Sequence, residues 1–130
     1  MMRVEEMYLI QAEATAMSGD AAGGKQLLEN FMKTYRNPSY TCMANDAAGV
    51  QEEVWMQRRI ELWGEGMCYY DLLRLGKGLD RRGGGYDPVW VYNVEAPLKP
   101  LLVPNGEMQT NSKIQSNNEV WSKPNAVDDF

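Results

Sequence analysis

The 130-residue sequence contains no histidine and only 2 cysteines, Cys42 and Cys68. Histidine is the commonest general base and metal ligand in proteins, so its absence removes the usual starting point for acid–base or metal chemistry. The two cysteines stand far apart, without the close spacing of a zinc or redox motif, and we expect both to be free thiols. The sequence therefore predicts neither a metal site nor a bound cofactor.

Clustered positive charge and long apolar runs are also missing. The chain has 13 Lys and Arg against 18 Asp and Glu, a formal net charge of -5, which argues against a nucleic-acid partner. No run approaches the roughly twenty consecutive apolar residues of a membrane span, and Glu5 and Glu6 stand where a signal peptide would be basic and then apolar. We expect a protein that stays in the cytoplasm or a piece of a longer polypeptide whose targeting segment lies elsewhere.

Helical periodicity dominates the first 76 residues. Residues Met2–Ser18 contain no Gly or Pro and place apolar side chains on two adjoining faces: Met7, Ile10, Ala14 and Met17 on one, Val4, Tyr8, Ala12 and Ala16 on the other. Gly19 suits the end of this helix, and Asp20 suits the N-cap of a second one that packs back on the first. Two helices spanning about 34 residues have the size of a tetratricopeptide hairpin.

A third helix is predicted over Ala48–Leu75, capped by Asp46, interrupted by the Gly-Glu-Gly at 64–66 and ended by Gly76. Its apolar residues recur at alternating spacings of four and three. This stripe predicts the face that packs on the core: Met56, Ile60, Trp63, Met67 and Tyr70.

Charged residues alternate with apolar ones on the neighbouring row of the same helix. Charges drawn partly out of water need opposite charges or hydrogen bonds, and Arg58 with Glu61, and Asp71 with Arg74, have the i, i+3 spacing that offers them. We predict a structural charge network rather than a pair of carboxylates for glycoside hydrolysis, and hence no catalytic residue and no enzyme. The members of this network are Arg58, Arg59, Glu61, Glu65, Asp71 and Arg74.

Residues 77–130 lose the helical periodicity and are predicted to form an irregular tail packed on the helices. It contains a short strand at Val89–Val94 or at most a hairpin, an extended buried segment at 101–104, and a single helical turn at Asn105–Thr110. Trp90 and Tyr92 share one face of the strand, where they either pack on the helices or form an aromatic platform on which a sugar ring stacks. The fold prediction is one mainly α domain, residues 1–130, with tetratricopeptide-like helix pairs in residues 1–76.

Several motifs follow one another in a fixed order along nearly the whole chain: YLIQAEA with a GD turn, RRIELWGEG, YYDLLRLG and LLVPNGEMQTN. This order resembles the C-terminal part of SusD/RagB-type proteins, and RRIELWGEG followed by YYDL is its most specific element. The chain departs from the family pattern at Gln57, where an acid usually stands, and at Cys68, where a basic residue does. In the closing segment, Asn111 and Asn117 are retained while their neighbours differ.

The resemblance implies a role in capturing an oligosaccharide, or another nutrient, at the cell surface and handing it to a TonB-dependent, SusC-like transporter. It implies binding without chemistry and a place in the outer membrane as part of a longer lipoprotein, whose signal and lipidated cysteine are absent from this chain. Ligand contacts in such proteins come largely from loops outside this helical part, so only structural roles are carried over. The alternative is a tetratricopeptide-like adaptor that binds a protein or peptide and no sugar. A lipoprotein signal encoded upstream would distinguish the two.

Two helix pairs are fewer than the three or more repeats that a solenoid needs to bury its apolar faces. We therefore expect this polypeptide to expose an apolar patch and to self-associate.

Overall fold

The computed structural model describes residues 3–79, 92–93, 100–118 and 125–126. The helices are α1 Val4–Met17, α2 Ala21–Tyr35, α3 Ala47–Glu61, α4 Met67–Arg74 and α5 Asn105–Thr110, and the short strands are β1 Tyr92–Asn93 and β2 Asn125–Ala126. The two strands pair antiparallel, with Tyr92 opposite Ala126. The mainly α prediction is confirmed. The chain divides into two compact units, Met1–Cys68 and Tyr69–Phe130, and the division falls within α4.

The turn between α1 and α2 has the predicted chemistry. The Gly19 N–H donates to the Ala16 carbonyl at 3.2 Å, which closes α1, and the Asp20 carboxylate accepts from the Gly23 N–H at 2.8 Å, which caps α2. Such a cap satisfies one of the backbone donors that every helix leaves unpaired at its start. The two helices therefore form an antiparallel hairpin, in which Tyr8 on α1 stacks on Phe31 of α2 with 5.6 Å between ring centroids.

Small residues bring α1 and α2 into close contact near this turn. A Cβ placed on Gly24 of α2 would lie 2.6 Å from both the Ala12 carbonyl oxygen and the Ala16 Cβ of α1. Real Cβ atoms do not approach other atoms that closely, because repulsion rises steeply below van der Waals contact. The glycine therefore sets the distance between the two helices.

The core of residues 3–68 lies between α1, α2 and α3, with α3 packed mainly on α1. Its buried members are Leu9, Ala12, Ala16, Leu28, Phe31, Met32, Cys42, Val50 and Val54. Ala12 and Ala16 of the second apolar face of α1 are buried, whereas Met7, Ile10 and Met17 of the first face are exposed. Val4 and Tyr8, which share the face of the two alanines, are also exposed. Both candidate faces of α1 are apolar, so the periodicity alone could not decide which one meets the other helices.

The third predicted helix is interrupted where the sequence indicated. The Asp46 carboxylate accepts from the Gly49 N–H at 2.8 Å and caps α3. Helix α3 ends at Glu61, and α4 begins at Met67. Gly64 and Gly66 have φ angles of 79° and 77°, a left-handed conformation that side chains with a Cβ rarely adopt. These two glycines therefore separate α3 from α4.

Asparagine side chains order part of the second unit. The side-chain amide of Asn117 accepts from the Val103 N–H at 2.8 Å and donates to the Val103 carbonyl at 3.0 Å, as a neighbouring strand would. Asn118 donates to the Leu101 carbonyl. The predicted helical turn is present as α5, but the predicted burial of segment 101–104 was wrong, because Leu101 and Leu102 are exposed.

Candidate functional site

Helix α3 buries a mixed apolar and charged face and exposes its most apolar one. Val50, Val54 and Arg58 are buried, whereas Met56, Ile60 and Trp63 are 44%, 68% and 85% exposed. The prediction that this stripe packs on the core was therefore wrong, and Tyr70 at its far end is exposed as well. Periodicity identified the apolar stripe of α3. Acids on α1, however, favour packing of the row of α3 that contains Arg58 against α1.

Two polar contacts cross the interface between α1 and α3. Arg58 Nη2 donates to Glu6 Oε1 at 3.2 Å, and these two side chains are only 6% and 12% exposed. Gln51 Nε2 donates to Glu13 Oε1 at 2.8 Å. Glu6 lies beside Arg58 and Glu13 beside Gln51, so the two helices run antiparallel.

Neither Glu6 nor Glu13 was predicted from the sequence to lie in this interface. A usable signal was present, because both acids fall on the same side of α1 as Leu9, Ala12 and Ala16. An acid within the buried line of a helix predicts a basic or amide partner on the helix that faces it.

Glu61, the last residue of α3, binds two arginines from other parts of the chain. Arg36, which follows α2, donates through Nε and Nη2 to the two carboxylate oxygens, both at 2.7 Å. Arg3, which precedes α1, donates through Nη2 to Glu61 Oε1 at 2.7 Å. This bidentate contact with Arg36 is the strong form of an arginine–carboxylate pair. The i, i+3 spacing predicted Arg58, on the same helix, as a partner of Glu61. The structure shows partners from outside α3, which link this helix to the residues next to α1 and α2.

Arg3 extends the network of ion pairs to Glu65, in the turn after α3. Its Nη1 lies 2.6 Å from Glu65 Oε1 and donates to the Glu61 carbonyl at 2.9 Å. Glu5 is more distant, with its oxygens 3.5 Å from Arg3 Nε and 3.6 Å from Arg36 Nη2. Arg3 and Arg36 carried no signal in the sequence, because no local pattern relates residues so far apart along the chain.

The three other predicted members of the charge network have different surroundings. The Arg59 guanidinium stacks over the Trp55 ring, 5.0 Å from its centroid, and its Nη1 lies 3.8 Å from the Met56 sulfur. Within α4, Arg74 Nε donates to Asp71 Oδ1 at 2.8 Å, and Asp71 is only 3% exposed.

The bidentate hydrogen bonds from Arg36, and the additional charge of Arg3, hold the pKa of Glu61 below its usual range. A carboxyl group whose pKa is lower in the folded chain stabilises the fold above its unfolded pKa, and this contribution is lost as the pH falls through the folded pKa. We expect the melting temperature to fall as the pH is lowered below about 4.3, the ordinary glutamate value. The Glu61→Gln variant should be less stable at neutral pH and lose less on acidification, as measured by circular dichroism melts.

The matched control is Glu107→Gln, which changes an exposed glutamate on α5. This variant should follow the acid dependence of the unmodified chain. If Glu61→Gln also follows it in parallel, the ion pairs of Glu61 do not contribute to the acid dependence.

An open groove of about 550 Å³ lies along the exposed side of α3. Methionine and isoleucine side chains line it together with two acids, Glu52 and Glu53. The Tyr40 hydroxyl donates to Glu53 Oε2 at 2.9 Å, and burial together with this hydrogen bond raises the pKa of Tyr40. The phenol therefore remains a neutral hydrogen-bond donor to Glu53.

The sugar-stacking candidates lie where little can be described. Trp90 is outside the described residues, and Tyr92 is described only by its backbone pairing in β1.

Both cysteines are free thiols, as expected, with Cys42 buried and Cys68 exposed. Within residues 3–79, 92–93, 100–118 and 125–126, no group of three or more His, Cys, Asp or Glu is placed to hold a metal ion. The helices of that same part of the chain are too short or too polar to cross a membrane.

In the described residues, helices joined by ion pairs define a mainly α protein. The sequence profile of the SusD family matches residues 1–127, and the chain belongs to that family, as the order of its motifs predicted. Members of the family are nutrient-binding lipoproteins of the outer-membrane surface and not enzymes. No curated protein and no solved structure matches the chain.

Proposed function

We propose that this chain is the helical scaffold of a SusD-like protein that captures an oligosaccharide at the cell surface and delivers it to a TonB-dependent, SusC-like transporter. The observation that carries the proposal is the match to the SusD family over residues 1–127. The sugar, the transporter and the delivery step are our inference from that membership.

The geometry of the acids supports binding rather than catalysis. Glu61 is held by two arginines and Glu6 by Arg58. At Glu61 the arginines lower the pKa of the carboxyl group, which is the opposite of the raised pKa that a general acid needs near neutral pH. These acids are therefore suited to fastening helices together.

A platform for the sugar is proposed at Trp90 and Tyr92. The alternation in the sequence predicts that the two rings share one face of a strand, and an aromatic ring presents an apolar surface against which the C–H face of a pyranose can pack. Because this pair of rings carries no charge, we expect it to bind neutral glycans.

The test is a glycan array probed with the whole chain, followed by titration calorimetry of the strongest glycan. We expect a neutral oligosaccharide to bind, and Trp90→Ala or Tyr92→Ala to weaken binding by about tenfold or more. Trp63→Ala is the control, since Trp63 is also an exposed aromatic ring but lies beside α3. Equal weakening by all three variants would contradict the proposed platform.

The transporter is tested by passing detergent-solubilised outer membranes of the source organism over the immobilised chain. Retention of a TonB-dependent transporter supports the delivery role. Binding of no glycan on the array, together with retention of a soluble protein instead of a transporter, would favour the adaptor alternative.

A further inference from the structure

Helix α5 begins with the pair Asn105-Gly106, which is the only Asn-Gly pair in the sequence. Both residues are exposed, and a Cβ built on Gly106 would meet no atom within 4 Å. Because glycine has no side chain, other atoms can approach its main chain closely. The side-chain amide of Asn105 is therefore followed by an unhindered main-chain nitrogen, the group that attacks an asparagine when it loses its amide.

We propose that Asn105 is a site of spontaneous deamidation. The Gly106 nitrogen, once water has removed its proton, attacks Cγ of Asn105. The new C–N bond closes a succinimide ring, the bond between Cγ and Nδ2 breaks, and Nδ2 takes up a proton and leaves as ammonia. Water then opens the ring: attack at Cγ gives aspartate, and attack at the main-chain carbonyl gives isoaspartate, in which the chain continues through the former side chain.

This reaction requires α5 to open, because a helical backbone holds the glycine nitrogen away from the preceding side-chain carbon. Helix α5 has 6 residues, none of them buried, and Pro104 at its N-cap makes no side-chain hydrogen bond to it. So short a helix is only marginally stable by itself, and segments with few buried contacts open at little cost in free energy. The structure therefore makes the Asn-Gly pair accessible to its own chemistry.

Other asparagines in this part of the chain are held by their side chains. Asn117 accepts from the Val103 N–H and donates to the Val103 carbonyl, and Asn111 donates to a carboxylate oxygen of Glu107 at 2.7 Å. Each is also followed by a residue larger than glycine. Within residues 100–118, Asn105 makes no side-chain hydrogen bond of this kind, so its amide is the one left available for attack.

The products differ from asparagine in charge and in backbone length. Either one adds a negative charge to a chain whose formal net charge is already -5. Isoaspartate also inserts a methylene group into the main chain, between the two partners of the hydrogen bond that the Met108 N–H donates to the Pro104 carbonyl at 3.1 Å. We expect α5 to be lost in the isoaspartate form.

The experiment is incubation of the whole chain at mildly alkaline pH, followed by tryptic digestion and mass spectrometry. An isoaspartyl methyltransferase assay distinguishes isoaspartate from aspartate. Asn105 should deamidate about tenfold or more faster than Asn111 or Asn117. The rate should rise with pH, because the attacking nitrogen must first lose its proton.

Gly106→Ala tests the attacking group, since it keeps the asparagine and places a methyl group beside the nitrogen. Deamidation of Asn105 should then be slower by about tenfold or more. Gln109→Gly and Gln109→Ala form a matched pair that tests the opening of α5 without altering the Asn-Gly pair. Glycine is the poorer helix former, so the first of these two variants should deamidate about fivefold faster than the second.

Three results would each overturn the proposal: a rate at Asn105 no higher than at Asn111 and Asn117, an unchanged rate in Gly106→Ala, or equal rates in the two Gln109 variants. All the variants change exposed residues of α5, and circular dichroism melts establish that the helical unit stays folded in them. None of these measurements involves a glycan, so this proposal and the proposed function can fail separately.

Discussion

Replacing Glu6 by alanine should lower the free energy of unfolding by about 3–5 kcal/mol, the range found when one partner of a buried ion pair is removed. Arg58 would keep its buried charge in the variant, without the carboxylate that lies 3.2 Å away in the unmodified chain. A domain of this size is stable by only about 5–15 kcal/mol, so much of that margin would be lost. Urea unfolding monitored by circular dichroism measures the difference.

Glu5 provides the matched control, because it is the neighbouring glutamate on the same helix but lies at the edge of the arginine network. Its replacement by alanine should change stability by less than about 1 kcal/mol, as for exposed pairs in general. A double variant, Glu6→Leu with Arg58→Met, removes both charges and should recover most of the loss. Equal losses for Glu5→Ala and Glu6→Ala would show that burial of the Glu6–Arg58 pair is energetically unimportant.

Replacing Gly24 by alanine should destabilise the helical unit by up to about 2 kcal/mol. Helix propensity alone favours alanine over glycine by about 1 kcal/mol, but the new Cβ would stand 2.6 Å from the Ala12 carbonyl oxygen and the Ala16 Cβ. Forcing α1 and α2 apart costs about 1–3 kcal/mol or more, as overpacking does elsewhere. Thermal and urea unfolding of the variant measure the net effect.

Gly106→Ala separates the two contributions, since Gly106 on α5 has no atom within 4 Å of an added Cβ. That variant should be neutral or slightly more stable, so the two glycine replacements should differ in sign. A stabilised Gly24→Ala chain would mean that α1 and α2 can move apart without loss, contrary to the packing described above.

The ends of the helices could be predicted because their chemistry is local. Asp20 and Asp46 cap the helices that follow them, and the glycines at 64 and 66 separate α3 from α4. Each of these features needs only the residues within one turn of the backbone. The family, too, follows from the order of short motifs, and its profile matches nearly the whole chain.

The partners of the charged side chains needed the tertiary structure. The sequence indicated that Arg58 and Glu61 require compensation, but Glu6, Arg36 and Arg3 come from elements far away along the chain. The exposed position of Met56, Ile60 and Trp63 has the same origin. Once the neighbouring helix supplies acids, a stripe of mixed apolar and basic residues can pack on it as well as an apolar stripe can. A prediction from hydrophobicity alone therefore chose the wrong stripe of α3.

By itself the sequence determined the residues that cap α2 and α3, the break between α3 and α4 and the membership of the SusD family, because each depends on neighbours in the chain. Only the tertiary structure decided which side of α1 and α3 is buried, which arginines hold Glu61, and where an apolar surface remains exposed. The reason is physical: the free energy of a buried charge depends on the group that faces it across the interface, and helical periodicity carries no information about that group.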